Sequence, residues 1–130
     1  MSSPSETDLI RRYWHRVGGT LIEKYMAVRR GPDYRHRRID AVINKTEETR
    51  RLGSHQQVHL DGEDVIVVQC KTGRLEMHLM GQAHFSMHLI ERHNPASIQS
   101  VALCEKRDAV LAPIFESLPN CKVIVLGDDV

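Results

Sequence analysis

The sequence predicts a single α/β domain, residues 1–130, in which a mixed sheet is flanked by helices. Three observations support this fold class. Apolar runs rich in β-branched residues, such as Val65-Ile66-Val67-Val68, alternate with segments of helical periodicity. Strands that are apolar along most of their length are typical of a sheet covered on both faces. A chain of 130 residues also has the size of one domain with its own core.

The order of the predicted elements is α-β-β-β-α-β-α-β. They are a helix at 5–17, strands at 20–29, 38–44 and 65–71, a helix at 75–92, a strand at 98–104, a helix at 108–118 and a strand at 121–126. The first three strands follow one another without a helix between them, which predicts a meander. The later strands are joined by helical crossovers.

Local signals set the boundaries of these elements. Ser5 and Asp8 have the spacing of a capping box at the start of the first helix, and Gly18-Gly19 ends that helix. Gly31-Pro32 turns the chain between the first two strands. Asn94-Pro95 ends the long helix, because the residue before a proline is disfavoured in the helical conformation.

Two segments have less regular patterns. Residues 45–54 are charged and lack apolar periodicity, so they predict a loop or a short helix on the rim. Gln57 to Leu60 precedes Asp61-Gly62, a strong hairpin signal. This predicts that the short segment pairs with the strand at 65–71.

The charge of the chain is unevenly distributed. Its net charge of +1 gives no overall attraction to nucleic acid. Asp128-Asp129 makes the C-terminus acidic, whereas the first half concentrates positive charge at Arg29, Arg30, Arg35, Arg37, Arg38, Arg50 and Arg51. These arginines predict either a basic surface that contacts phosphate or a solvated loop.

The three cysteines, Cys70, Cys104 and Cys121, each lie in an apolar segment. They are widely spaced and form no CxxC motif, so neither a zinc ribbon nor a disulfide framework is indicated. Buried free thiols are typical of a reducing compartment. The sequence has no signal-peptide pattern and no apolar stretch of membrane-spanning length, and we therefore expect a cytoplasmic protein without a membrane partner.

Polar side chains at the end of the central strand form the strongest candidate site. Gln69 and Lys71 are two residues apart and share one face of the strand, while Cys70 faces the other side. Asp40 lies in the preceding strand. The Asp40 carboxylate and the Gln69 amide oxygen suit a hard divalent cation, and a nearby lysine can orient a water molecule and offset negative charge. A further acid is available from Glu6 or, alternatively, from Glu23.

The order α-β-β-β-α-β, with Glu6 at the head of the first helix, Asp40 in the second strand and Gln69-Cys70-Lys71 ending the third, resembles the PD-(D/E)XK nuclease superfamily. The resemblance spans about Glu6 to Leu103. Within the superfamily, the chain is most similar to the restriction-endonuclease-like and Holliday-junction-resolvase-like branches. It implies a restriction-endonuclease-like α-β-β-β-α-β core with an additional C-terminal α-β. It also implies that Glu6, Asp40, Gln69 and Lys71 are catalytic, with Asp40 and Gln69 as ligands of Mg²⁺ or Mn²⁺.

The chain departs from the superfamily pattern at two positions. Ile39 precedes Asp40 where the family has proline. The literal Pro32-Asp33 lies in a predicted loop, so we prefer Asp40, which a strand holds rigidly beside Gln69. Gln69 stands where the family has Glu or Asp. An amide lacks the negative charge of a carboxylate. We therefore expect either weaker metal affinity or an inactive relative of the family.

The helix after Lys71 carries several polar residues. In the resembling family this helix faces the nucleic acid, which implies a binding role for Gln82. His84 and His88 have the i, i+4 spacing of a helical zinc pair, but Phe85 occupies the place of the glutamate in an HExxH motif. A polar outer face is the alternative. The few aromatic residues argue against a base-stacking platform.

These observations predict a metal-dependent nuclease that hydrolyses phosphodiester bonds in DNA rather than RNA, with branched DNA as one candidate substrate. The predicted nucleic-acid contacts are Arg29, Arg30, Arg37, Arg38 and Gln82. Cleavage of both strands usually requires two copies of a small enzyme, so a homodimer is expected. The alternative is a catalytically inactive protein of the same fold that binds nucleic acid or oligomerises.

Overall fold

The computed structural model describes residues 4–53 and 58–127. Gln57 and Asp128-Asp129, which entered the sequence predictions, lie outside these ranges. The helices are α1 Pro4–Val17, α2 Met77–Glu91 and α3 Leu111–Glu116, and the strands are β1 Thr20–Val28, β2 Arg37–Asn44, β3 Arg50–Leu52, β4 Asp64–Cys70, β5 Ser97–Cys104 and β6 Cys121–Val125. All elements of the predicted order are present, with one additional strand, β3.

The six strands form one mixed sheet in the spatial order β3-β1-β2-β4-β5-β6. β2 is antiparallel to both β1 and β4, so these three strands form the predicted meander. β5 runs parallel to β4, and β6 runs parallel to β5. α2 and α3 provide the two crossovers. The α/β class with a mixed sheet is confirmed for the described residues.

Helices cover both faces of the sheet. On one face α1 packs over the central strands in a cluster that includes Leu9, Ile10, Ile66 and Val68. On the opposite face α2 and α3 pack in clusters that include Leu79, Ile90, Phe115, Val65 and Val67. β4 therefore buries successive residues on opposite faces, which explains its uninterrupted apolar run.

β3 lies in the segment for which the sequence predicted a loop or a short helix. Thr20 Oγ1 donates to the carbonyl of Glu48 at 2.9 Å, and the Arg50 amide donates to the carbonyl of Gly19 at 3.3 Å. These bonds align β3 parallel to β1 at the edge of the sheet. β3 has only three residues, and most of its side chains are exposed. The sequence therefore shows no apolar alternation that would predict a strand here.

The predicted hairpin before Asp61-Gly62 is wrong for residues 58–60, which form no strand. Both edges of β4 are occupied, one by β2 and the other by β5, so a hairpin partner has no edge to pair with. Leu60 is nevertheless only 1 % exposed and packs with the core beneath α2. The apolar signal here reflects tertiary packing.

The starts of two helices also differ from the prediction. α1 already includes Pro4, a residue favoured at the first helical position, so Ser5 lies inside the helix. Asp108 precedes α3, and its Oδ1 accepts hydrogen bonds from the amides of Val110 and Leu111, each at 2.9 Å. This turn delays the start of α3 to Leu111.

At Lys24 the side chains of β1 and β2 change the face of the sheet to which they point. Lys24 has a left-handed φ of 54°. The strand pairing skips it, because Glu23 pairs with Ala41 and the next pair is Tyr25 with Ile39. Ala41 belongs to the core beneath α1, whereas Ile39, two residues earlier, belongs to the core beneath α2. The break in alternation lies at the level of the candidate site, and left-handed non-glycine residues are concentrated at such sites.

The three cysteines are buried and free, as the sequence predicts. Within the described ranges, no helix combines the length and the apolar character needed to cross a bilayer.

Candidate functional site

Gln69 and Lys71 contact the α2 side of the sheet, as strand alternation predicts. Gln69 is 6 % exposed, and its Nε2 donates to Ser86 Oγ of α2 at 2.7 Å. Lys71 follows β4 and is about half exposed, with its Nζ 3.8 Å from the carboxylate of Glu76, just before α2. Cys70 faces the opposite way, into the core beneath α1.

Asp40 lies next to Gln69 where β2 and β4 separate. Backbone pairing of these strands ends at Ala41↔Val68. Beyond that point the Asp40 amide donates to Gln69 Oε1 at 3.4 Å, and Asp40 Oδ2 accepts from the Cys70 amide at 2.9 Å. Side-chain hydrogen bonds thus continue the ladder, and the two predicted metal ligands are neighbours.

A cleft of about 220 Å³ opens beside Asp40 on the α1 side of the sheet. It is lined by Thr7, Ile10, Arg11, Glu23, Lys24, Asp40 and Gly53. The lining combines two carboxylates with two cationic side chains, so its formal charge is balanced.

Glu23, the alternative acid, is held by two arginines. Arg11 Nε and Nη2 each donate to its carboxylate at 3.0 Å, and Arg51 Nη1 donates at 3.2 Å. Burial raises the pKa of Glu23, but the hydrogen bonds and charges of Arg11 and then Arg51 outweigh burial and hold the pKa below its ordinary value. Both oxygens of Glu23 are therefore engaged in ion pairs.

Glu6 lies in the first turn of α1, beside the end of β4. The Cys70 thiol donates to the carbonyl oxygen of Glu6 at 3.7 Å. Burial, followed by the negative charges of Asp40 and Glu6, raises the pKa of the Cys70 thiol far above its ordinary value. The thiol is protonated and unsuited to nucleophilic chemistry, and both acids lie close enough to influence it.

Asp40 and Gln69 offer the hard oxygen donors that Mg²⁺ and Mn²⁺ prefer. Among the residues that the structure describes, no three His, Cys, Asp or Glu side chains are placed to hold one metal ion. Mg²⁺ usually retains several waters and combines one or two carboxylates with substrate phosphate. Asp40 lines the cleft on the α1 side, whereas Gln69 is buried on the α2 side with its Oε1 facing the Asp40 amide, so the two residues are neighbours without forming a closed protein cage.

The four arginines predicted to contact nucleic acid are exposed near the same end of β2. Arg29 and Arg30 follow β1, and Arg37 and Arg38 begin β2. Arg38 Nη1 donates to the carbonyl of Lys24 at 2.9 Å, which ties this arginine to the cleft.

α2 directs Ser86, and not Gln82, toward Gln69. Gln82 is exposed one turn earlier. Ser86 is a buried polar residue among the apolar residues of the helix. The sequence did not lead us to predict a role for it. The available signal was a hydroxyl on the buried stripe between Ala83 and Ile90, because a buried polar group requires a partner.

His84 and His88 lie on the exposed part of α2. Their Nε2 atoms are 3.3 Å apart, and His88 Nδ1 lies 2.7 Å from the carboxylate of Glu91. The described residues complete no set of three metal ligands around them. The contacts of these two histidines lie along the outer surface of α2.

Comparisons of the chain with protein families, with curated proteins and with solved structures found no match.

Proposed function

We propose that the protein is a metal-dependent nuclease whose site contains Asp40, Gln69 and Lys71. The observation that supports this function most is the juxtaposition of Asp40 and Gln69 at the separating ends of β2 and β4, with Lys71 two residues beyond Gln69. A carboxylate, a neutral oxygen donor and a cation are the groups that phosphodiester hydrolysis uses.

The order of the strands supports the same function. A helix, an antiparallel meander, a crossover helix and a strand parallel to the last strand of the meander follow one another along the chain. This is the order that the PD-(D/E)XK resemblance implies. On this proposal the core is restriction-endonuclease-like, with α3 and β6 as the C-terminal addition.

Each side chain has a defined role in the proposed reaction. Asp40 and Gln69 would hold Mg²⁺ or Mn²⁺, which would lower the pKa of water and offset phosphate charge. Lys71 would orient the attacking water beside the phosphate. The water oxygen would bond to phosphorus while the bond to the leaving oxygen breaks, and the proton lost by the water would pass to the leaving oxygen. Glu6 is the proposed fourth member, as the resemblance implies, and it lies in the first turn of α1 beside the end of β4.

The proposed substrate is DNA in preference to RNA. Arg29, Arg30, Arg37 and Arg38 supply exposed positive charge near Asp40, and phosphate contacts of this kind give affinity without sequence preference. Gln82 is a further proposed contact from α2. Cleavage of both strands would require a homodimer.

One observation favours a second candidate, a catalytically inactive protein of the same fold that binds nucleic acid. The Gln69 side chain is buried, and its Nε2 bonds to Ser86. Gln69 thereby stabilises the junction of β4 and α2, a role that needs no metal.

The two candidates are separated by a cleavage assay. Purified protein is incubated with supercoiled plasmid, a synthetic four-way junction and structured RNA, each with Mg²⁺, with Mn²⁺ or with EDTA. The nuclease proposal expects DNA cleavage that EDTA and the Asp40→Asn substitution both abolish. DNA binding without cleavage under any of these conditions would support the inactive candidate.

A further inference from the structure

A second surface, which we call the aromatic groove, lies between the β1–β2 connection and the flank of α2. Its volume is about 320 Å³, and it is lined by Val28, Tyr34, Arg35, Arg37, Phe85, Leu89 and Arg92. The lining carries three arginines and no acidic residue, on a chain whose net charge is only +1. An anionic ligand is therefore favoured here.

Two aromatic rings of the groove are exposed. Tyr34 is 55 % exposed and Phe85 is 67 % exposed. Neither ring is needed to fill the core, and exposed aromatic rings beside arginines are the elements on which proteins stack unpaired bases. The few aromatic residues of the sequence argued against a base-stacking platform, but the tertiary fold brings Tyr34 and Phe85, which are far apart in the sequence, to one groove.

The turn before β2 holds Tyr34 in position. The Gly31 amide donates to the carbonyl of Tyr34 at 3.1 Å, and the tyrosine ring covers Gly31 so closely that a Cβ there would collide with the ring. Gly31 does not have a left-handed φ, so contact with this ring is the reason for glycine. The stacking surface is thus preorganised by a local backbone contact.

Arg37 of the groove lies on the strand that carries Asp40. Arg37 Nη1 donates to the carbonyls of Arg35 and His36, each at 3.1 Å. Arg37 and Asp40 are three residues apart on β2, which corresponds to about 10 Å along a strand. The groove lies on the α2 side of the sheet and the cleft beside Asp40 on the α1 side, so they are separate surfaces that meet only at the exposed start of β2.

We propose that the aromatic groove binds an unpaired nucleotide of a nucleic-acid ligand, with the base against Tyr34 and Phe85 and the backbone along Arg35, Arg37 and Arg92. The occupant is a single-stranded segment, because bases in a duplex are already stacked and paired and do not present their faces. The choice of nucleic acid as the ligand rests on the proposed function. The new inference is that part of this nucleic acid is single-stranded.

The test measures binding in EDTA, so that its result does not depend on catalysis. Fluorescence anisotropy compares a labelled oligothymidylate of about ten nucleotides, within the site size of small single-strand binders, with a duplex of equal length. We expect tighter binding of the single strand. Tyr34→Ala and Phe85→Ala should each weaken it about tenfold, with the salt dependence unchanged.

Three further variants assign the effect to the groove. Arg92→Gln should weaken binding and also reduce the salt dependence, because one phosphate contact is lost. Gly31→Ala should weaken binding by displacing the ring of Tyr34, although it removes no contact group. Met77→Ala removes an exposed apolar side chain elsewhere on α2 (73 % exposed) and should have no effect.

The outcomes distinguish this inference from the proposed function. Tighter duplex binding, unchanged affinity in both aromatic variants, or equal affinity for a polyglutamate peptide of the same charge would overturn the groove as a nucleotide site. Selective single-strand binding without cleavage in Mg²⁺ would overturn the nuclease proposal and leave the groove intact.

Discussion

Gln69 and Asp40 stabilise each other where β2 and β4 separate. Gln69 Oε1 accepts from the Asp40 amide at 3.4 Å, while Asp40 Oδ2 accepts from the Cys70 amide, the next residue after Gln69, at 2.9 Å. Gln69 Nε2 simultaneously donates to Ser86. Unlike an ionised carboxylate, an amide supplies both an acceptor and a donor in this position, which gives a physical reason for glutamine where the resembling family has an acid.

Gln69→Glu tests whether this position lies beside a cation. In EDTA at pH 7 the variant should lose about 1–3 kcal/mol of unfolding free energy, because it buries a second negative charge near Asp40. Excess Mg²⁺ should restore part of that loss, since a bound cation offsets the charge. Urea denaturation with and without Mg²⁺ measures both effects.

Gln82→Glu is the matched control, because Gln82 is exposed. It adds the same charge to the surface and should change stability little under either condition. An equal response of the two variants to Mg²⁺ would exclude a cation site at Gln69.

Ser86→Ala tests whether the hydrogen bond from Gln69 positions the site. The substitution leaves the buried Nε2 of Gln69 without its partner, which should cost about 1–3 kcal/mol. The loosened amide should also lower kcat more than it raises KM. The measurements are urea denaturation and the initial rate of DNA cleavage over a range of substrate concentrations.

Ser100→Ala is the control for the serine experiment. Ser100 is also buried, and its hydroxyl donates to the carbonyl of Ala83 on α2 at 2.6 Å. The variant should lose about 0.5–1.5 kcal/mol and retain its cleavage rate. Equal loss of kcat in both variants would mean that Ser86 acts through general stability.

Much of the fold could be predicted because the spacing of apolar residues along the sequence indicates which side chains are buried. The alternation that separates Gln69 from Cys70 and the stripe of α2 both reappear in the structure. β3 and the absence of a strand at 58–60 depend on which sheet edges are open, and no local pattern encodes that property.

The candidate site was predictable only in part. Asp40 and Gln69 could be chosen because the order of the predicted elements places them on neighbouring strands. The ion pairs of Arg11 and Arg51 with Glu23 join three separate segments, so the sequence could not reveal them and left Glu23 as the alternative to Glu6. The left-handed Lys24 likewise carries no glycine or asparagine signal.

The ion pairs of Glu23 predict a pH-dependent contribution to stability. The pKa of Glu23 is lower in the folded protein than in the unfolded chain, where it is about 4.3. The contribution is therefore present above that pH and disappears as the pH falls through the folded-state value. Glu23→Gln should destabilise the protein by about 1 kcal/mol at pH 7 and by much less at a pH below the folded-state pKa of Glu23.

Glu48→Gln controls for the loss of charge alone. Its carboxylate is 77 % exposed and lies 4.0 Å from Arg50, so this substitution should have little effect at either pH. Denaturation of the three proteins across the pH range provides the comparison. A constant difference between wild type and Glu23→Gln would contradict the ion-pair account.

Lys71 offers the most direct test of the nuclease proposal. It is half exposed and lies 3.8 Å from Glu76, so Lys71→Ala should change stability by less than about 1 kcal/mol. Lys122→Ala on β6 removes an exposed lysine away from the site and serves as the control. The measurement is the rate of Mg²⁺-dependent DNA cleavage by wild type and both variants. The account predicts a loss of about a hundredfold or more in Lys71→Ala and none in Lys122→Ala, and equal rates in all three proteins would contradict it.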